Sequence, residues 1–201
     1  MTAIVQDNVD EKRRRLLLIA TSAAAGVAGA GVAVPFLASW LPSARALAAG
    51  APVEADISRI EPGQQVIFEW RGKPVWVLRR TPEMLEILPK HDALLVDPDS
   101  AEPQQPAYVK GPGRSIKPEV LVAVGVCTHL GCSPTLKKEI GAASDMGADW
   151  PGGYYCPCHN SRFDLAARVF KGSPAPKNLV IPPHRYASDA VVVIGEDPKG
   201  A

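Results

Sequence analysis

Apolar and polar positions follow two different rhythms along this chain, and the change comes near residue 45. From Leu16 to Ala44 no residue is charged, a run of 29 that contains LLLIATSAAAGVAGAGVAVPFLASW. A helix that crosses a bilayer needs about 20 apolar residues, whereas the apolar core of a cleaved export signal is usually about 7–15. The length predicts a retained transmembrane anchor over residues 16–40, with Trp40 placed as an interfacial aromatic. Beyond it the runs shorten. Gln64–Trp70 and Pro74–Leu78 are apolar, β-branched or aromatic stretches on either side of Arg71-Gly72-Lys73, which predicts a hairpin. Thr81-Pro82-Glu83 reads as a helix start with Thr as cap and Pro in the first turn, and Pro89 keeps that helix short. Val120–Val126 is continuously apolar, the mark of a buried strand, and it runs directly into Cys127. Val191–Ile194 predicts a last strand.

The intervening stretches have no such period. Residues 41–55, LPSARALAAGAPVEA, are rich in Ala, Pro and Gly and read as a hinge linker. Residues 97–118 hold five prolines and read as a long surface loop. Eighteen of the 20 prolines lie beyond residue 50, which disfavours a helical bundle. The expected fold is therefore mostly β over residues 56–201, preceded by a single N-terminal transmembrane helix.

Charge adds an orientation. Lys12-Arg13-Arg14-Arg15 precede the uncharged run and Arg45 alone follows closely, so the positive-inside rule assigns residues 1–15 to the cytoplasm and the head to the other side. Arg13-Arg14-Arg15-Leu16-Leu17 also fits a twin-arginine export signal. The alternative is a cleaved signal with Ala44-Arg45-Ala46 as its cleavage site. Net charge is +1, and after residue 15 there are 18 basic and 18 acidic side chains, a balance with no electrostatic footprint for nucleic acid.

The chemistry concentrates in one region. All four cysteines and two of the four histidines fall between residues 127 and 159. They form Cys127-Thr-His129-Leu130-Gly131-Cys132 and, with 26 residues intervening between His129 and Cys156, Cys156-Pro-Cys158-His159-Asn160-Ser161. Two Cys and two His can bind tetrahedral zinc, or a 2Fe-2S cluster in which two His replace two Cys on one iron. Zinc fingers usually pair like with like, whereas here each loop offers one thiolate and one imidazole and could span both irons. The leftover pair, Cys132 and Cys158, has no role in a zinc site and could join in a disulfide, which an exported domain permits. His91 and His184 lack ligand spacing and read as ordinary histidines.

At CTHLGC and CPCHNS the chain resembles the Rieske proteins of cytochrome bc complexes. The resemblance extends to the anchor, to WRGKPVWVLRRTPE (Trp70–Glu83) and to FDLAARVFKGSPAPKNLVIPP (Phe163–Pro183), and it is to the bacterial respiratory type. It implies an antiparallel β-sandwich head with a cluster-binding subdomain and one 2Fe-2S cluster, with Cys127 and Cys156 on the buried iron and His129 and His159 on the outer iron. It further implies a Cys132–Cys158 disulfide, Leu130 shielding the cluster, Ser161 donating to a sulfide, and Gly172-Ser173-Pro174-Ala175-Pro176 as a covering proline loop. Two positions depart from the family pattern: Asn160 stands where Gly is usual, and Phe163 where many members have Tyr. Asn tolerates positive φ better than most residues.

By the same resemblance the chain would be the electron-transfer subunit of a quinol–cytochrome c oxidoreductase. It would sit in the cell inner membrane with its head on the periplasmic side, beside cytochrome b and cytochrome c1 in a dimeric complex. There His159 and His129 would face quinol, and one electron coupled to a proton would pass on to a c-type cytochrome, contributing to proton-motive force. Competing classes are the small Rieske subunit of an exported molybdenum oxidase, a Rieske ferredoxin serving an oxygenase, and a zinc module.

Overall fold

The computed structural model describes residues 10–200; residues 1–9 of the expected basic segment, and residue 201, lie outside the described residues. Two units, residues 1–47 and 48–201, are best taken separately.

The first unit is dominated by α1, Glu11–Ala38, 28 residues long. Asp10 caps it, its carboxylate accepting from the backbone N–H groups of Lys12 and Arg13 at 3.0 and 3.2 Å, and Glu11 complements the dipole of the first turn. None of its residues is buried, and its most apolar stretch has a mean hydropathy of 1.9. At 1.5 Å per residue such a helix is about 42 Å long, enough to cross a hydrocarbon core of about 30 Å. The helix takes in Lys12–Arg15 and ends at Ala38, so Trp40 follows it, edge-on to Phe36 at 5.4 Å. The linker expected over 41–55 is more structured than its composition suggested. It contains a short helix, α2 (Ala44–Ala49), and strand β1 (Val53–Asp56).

The second unit is three small antiparallel sheets. β1 pairs with β9 (Val191–Ile194), which pairs with β8 (His184–Ser188). β2 (Gln65–Trp70), β3 (Lys73–Arg79) and β4 (Val120–Val124) form the second sheet. β5 (Thr135–Lys137), β6 (Gly153–Cys156) and β7 (Ser161–Phe163) form the third. The β2–β3 turn is tighter than expected: Trp70 pairs with Lys73, so only Arg71 and Gly72 turn, both at positive φ as a two-residue hairpin of matching twist requires. Thr81 caps α3 (Pro82–Ile87) through its hydroxyl, and the chain continues past Leu88 as a 3-10 turn.

β4 and the middle of β3 are buried on both faces, which explains why β4 reads as an unbroken apolar run, whereas β2 is partly exposed. Val75, Val77, Val120, Val122 and Val124 pack with Ala55, Val192 and Ile194 of the first sheet. Trp76, Leu78, Leu121 and Ala123 face the other way and pack with Tyr154, Phe163, Cys127 and Cys156. The strand period of two thus splits one sheet between two cores. Gly125, just after β4, is required by packing: a Cβ there would lie 2.2 Å from the Trp76 indole.

Residues 97–118 have no regular elements, yet they are not simply a surface loop. Val109 and Arg114 are buried in the head. The Arg114 guanidinium donates to the carbonyls of Ala166, Ala167 and Leu179 and to the Gln105 side chain. Arg80 donates to carbonyls of Gly113, Pro118 and Leu165. Burial lowers both guanidinium pKa values to about 10, which leaves them charged at neutral pH. Arg168 and Asp164, both fully buried, pair at 2.8 Å, and Arg168 also reaches Asp92. Three arginines therefore pin residues 164–168 and the proline-rich loop to the core. Each has its donors occupied, the condition under which a buried charge is tolerated.

Candidate metal centre

Both motif loops are tight turns of the same build. In the first, the Gly131 N–H donates to the Cys127 carbonyl at 3.0 Å; in the second, the Asn160 N–H donates to the Cys156 carbonyl at 2.9 Å. Each bond spans four residues, and each donor residue has positive φ: 86° at Gly131 and 64° at Asn160. The second loop is the β6–β7 connection, since Cys156 pairs with Ser161 across the ladder. The first follows β4 and is closed further by the Cys127 N–H donating to Cys132 at 2.7 Å.

These turns bring the sequence-selected side chains together. Cys127 and Cys156 are buried and unbridged. Cys132 and Cys158 are joined, holding loop to loop across 26 residues of chain. The sulfurs of Cys132, Cys156 and Cys158 all lie within 4.8 Å of one another, but the bridged pair has no thiolate to offer, which leaves Cys156 and Cys127 as sulfur donors. Burial pushes the Cys127 thiol up; a backbone bond from His129 and the Ser161 hydroxyl act in the opposite direction, while the neighbouring Cys156 thiol adds to the rise. The rings of His129 and His159 stand edge to face with centroids 4.7 Å apart. His129 is half-buried and His159 exposed. Leu130, next to His129 in the first motif, is 71% exposed.

A third segment covers the pair. The buried Ser161 hydroxyl accepts from the Ala175 N–H at 3.0 Å, so its own proton is free to point toward sulfur. Thr128 donates its hydroxyl to the Lys177 carbonyl at 2.6 Å, and Ser173 accepts from the Arg162 N–H at 3.0 Å. The run from Gly172 to Lys177 is thereby stitched to both loops. Thr128 and Tyr155, whose hydroxyl donates to Asn160 Oδ1, were not singled out from sequence, although both lie within or beside the motifs. Phe163 is fully buried in the core that holds Cys127 and Cys156. His91 and His184 lie elsewhere in the head: His184 Nδ1 bonds the Pro182 carbonyl, and burial lowers the pKa of both rings.

Two buried free thiols, on loops that also carry one half-buried and one exposed imidazole, make a mixed donor set. It suits a two-iron cluster with one sulfur-ligated and one nitrogen-ligated iron better than a single tetrahedral ion. Comparison with known proteins agrees with this geometry. Residues 53–183 match the family described as Rieske [2Fe-2S] domain, and residues 5–43 match Ubiquitinol-cytochrome C reductase Fe-S subunit TAT signal. The chain is 64% identical over 190 residues to the ubiquinol-cytochrome c reductase iron-sulfur subunit of Allochromatium vinosum, covering 94% of this chain and 91% of the relative. It is 41% identical over 184 residues to the subunit of that name from Bradyrhizobium diazoefficiens, covering 91% and 94%. With the mitochondrial cytochrome b-c1 complex subunit Rieske of Schizosaccharomyces pombe it shares 39% identity over 178 residues, covering 88% and 68%.

Proposed function

This chain belongs to the Rieske [2Fe-2S] family, among the ubiquinol–cytochrome c reductase iron–sulfur subunits, and from that premise we propose that it is the electron-transfer subunit of a quinol–cytochrome c oxidoreductase. The carrying observation is the mixed donor set, with Cys127 and Cys156 buried together and the paired His129 and His159 rings half-buried and exposed. Cys127 and Cys156 would hold the inner iron, His129 and His159 the outer. Bound there, the 2Fe-2S cluster supplies a one-electron couple, raised in potential because two neutral imidazoles replace two thiolates.

The chain's own groups do the rest. His159, the more exposed imidazole, accepts the hydrogen bond of a quinol hydroxyl and then takes its proton on the outward ring nitrogen. Exposed Leu130 presents an apolar contact for the quinol pocket of cytochrome b. Thr128, Ser161 and Ser173 hold the Gly172–Lys177 segment over the site and keep water from the sulfur ligands. The segment between α1 and β1 is the hinge on which the head moves from cytochrome b to cytochrome c1. α1 is the single membrane anchor, with four basic residues at its start supporting a head on the periplasmic side of the inner membrane. The complex is dimeric.

Purification of the membrane complex tests this reading. Cytochrome b and a c-type cytochrome should accompany the chain. The reduced complex should show the low-average-g electron paramagnetic resonance signal of a histidine-ligated cluster, lost when His129 or His159 is replaced. The chain should resist carbonate extraction with its N-terminal segment intact. Stoichiometric zinc without that signal, or a soluble chain beginning near Leu47, would overturn it.

A further inference from the structure

The two ligand loops share a backbone design but differ at one corner. In each, the residue four places after the cysteine donates its N–H back to the cysteine carbonyl and adopts positive φ. In the first loop that residue is Gly131, which holds this conformation at no steric cost and has open space around its Cα. In the second it is Asn160, for which φ of 64° is a less populated region. A side chain at this corner must either be tolerated or be used.

Here it is bonded. The Tyr155 hydroxyl donates to Asn160 Oδ1. Tyr155 immediately precedes Cys156 and Asn160 immediately follows His159, so this contact spans the ligand loop from outside while the Asn160 N–H to Cys156 carbonyl bond closes it from within. Tyr155 is itself fixed, being the middle residue of a three-strand ladder in which it pairs with Thr135 and with Arg162. Its neighbours Tyr154 and Cys156 point into the core, so its half-buried ring lies on the opposite face, level with the loop.

We propose that Tyr155 is a positioning residue for His159, its hydroxyl strapping the Asn160 corner so that the second ligand loop holds one geometry where a glycine corner would leave it freer. The inference rests on the reading of His159 as a ligand. It makes the two loops unequal at their corners: in the one bearing the exposed imidazole a side-chain strap fixes the corner residue Asn160, whereas the corner of the other is Gly131, which has no side chain to bond.

A double-mutant cycle on the full chain in its membrane complex tests it, with Tyr155→Phe, Asn160→Gly and both together. Tyr155→Phe keeps the ring in the sheet, and Asn160→Gly keeps the positive φ, so each removes the strap with little other change. The readouts are the line width of the reduced paramagnetic signal and the rate at which a chelator bleaches the oxidised chromophore. Each single variant should broaden the signal and speed bleaching by about two- to tenfold, the range for losing one hydrogen bond. The double variant should be no worse than the more affected single. Additive effects, or single variants with wild-type line width and bleaching, would overturn the strap. Absence of the signal from the wild-type complex would instead overturn the ligand assignment on which the strap depends.

Discussion

The indole of Trp76 lies flat on the phenol of Tyr154, with centroids 4.5 Å apart and planes within 10° of parallel. Trp76 belongs to the middle strand of the β2–β3–β4 sheet, and Tyr154 stands two residues before Cys156 in the middle strand of the sheet that carries the second loop. The stack therefore registers one sheet against the other at the level of the metal centre. Gly125 leaves the space that the indole fills.

Trp76→Ala should cost about 3–5 kcal/mol, the usual range for emptying a buried aromatic site. Trp76→Phe should cost less because a ring still meets Tyr154. Gly125→Ala should also destabilise, by pushing the indole off its partner. Denaturant unfolding followed by near-ultraviolet circular dichroism would rank the three. A Gly125→Ala protein as stable as wild type would mean that the indole has room to move.

The disulfide should matter to the centre more than to the fold. Cys132→Ser leaves both free cysteines and both imidazoles in place but unties the loops, so the variant should assemble a labile cluster of lower potential. Closing a loop of this length is worth about 3–4 kcal/mol in the chain-entropy model. A variant that retains wild-type potential and resistance to chelators would argue against this role.

Two substitutions should move the potential in opposite directions. A donor aimed at sulfur stabilises the more negative reduced state, and a difference of about 1 kcal/mol between redox states corresponds to roughly 40 mV. Phe163→Tyr should raise the potential by tens of millivolts if the new hydroxyl finds sulfur, and Ser161→Ala should lower it. The serine change should also destabilise, because the buried Ala175 N–H loses its acceptor, a loss of about 1–3 kcal/mol. Protein-film voltammetry reads both directions; a lowered potential in Phe163→Tyr would contradict the placement of that ring beside the ligands.

Acid should weaken the head through its buried histidines. Burial holds His184 below its ordinary pKa, with the Pro182 carbonyl and Asp197 acting the other way, and burial likewise lowers His91. A depressed histidine binds fewer protons folded than unfolded, so stability is full above the unfolded value of about 6.5 and falls as pH drops below it. His184 Nε2 is buried without a partner, so protonation there strands a charge. Replacing His184 by Gln should flatten the acid limb of the stability curve below about pH 6.5. An unchanged slope would assign that limb to other groups.

The elements legible in the sequence were those whose signal is local. Arg71-Gly72 between two β-branched runs, Thr81-Pro82 before an amphipathic turn, and the unbroken run at Val120 each carry their own evidence of shape. The motif spacing also sufficed to single out the six Cys and His residues that the fold brings together. What escaped was set by partners far along the chain. Val53–Asp56 becomes a strand only because Val191–Ile194 pairs with it. The burial of Arg80, Arg114 and Arg168, a residue type that is mostly exposed, depends on carbonyls and carboxylates from segments as much as 85 residues away. Three-residue strands such as β7 are too short for periodicity to register.

The position of β1 has a mechanical consequence. It is an outermost strand, held by a four-residue ladder to β9, and it is also where the segment from the membrane helix joins the head. Tension along that segment is therefore taken first by the Val53–Asp56 ladder. The ligand loops hang from β4 and from the β5–β6–β7 sheet, whose strands share no backbone ladder with β1, β8 or β9. Strain at the mooring can loosen β1 while the strands around Cys127 and Cys156 stay paired, so the part of the head that bears force and the part that bears the electron are separate pieces of chain.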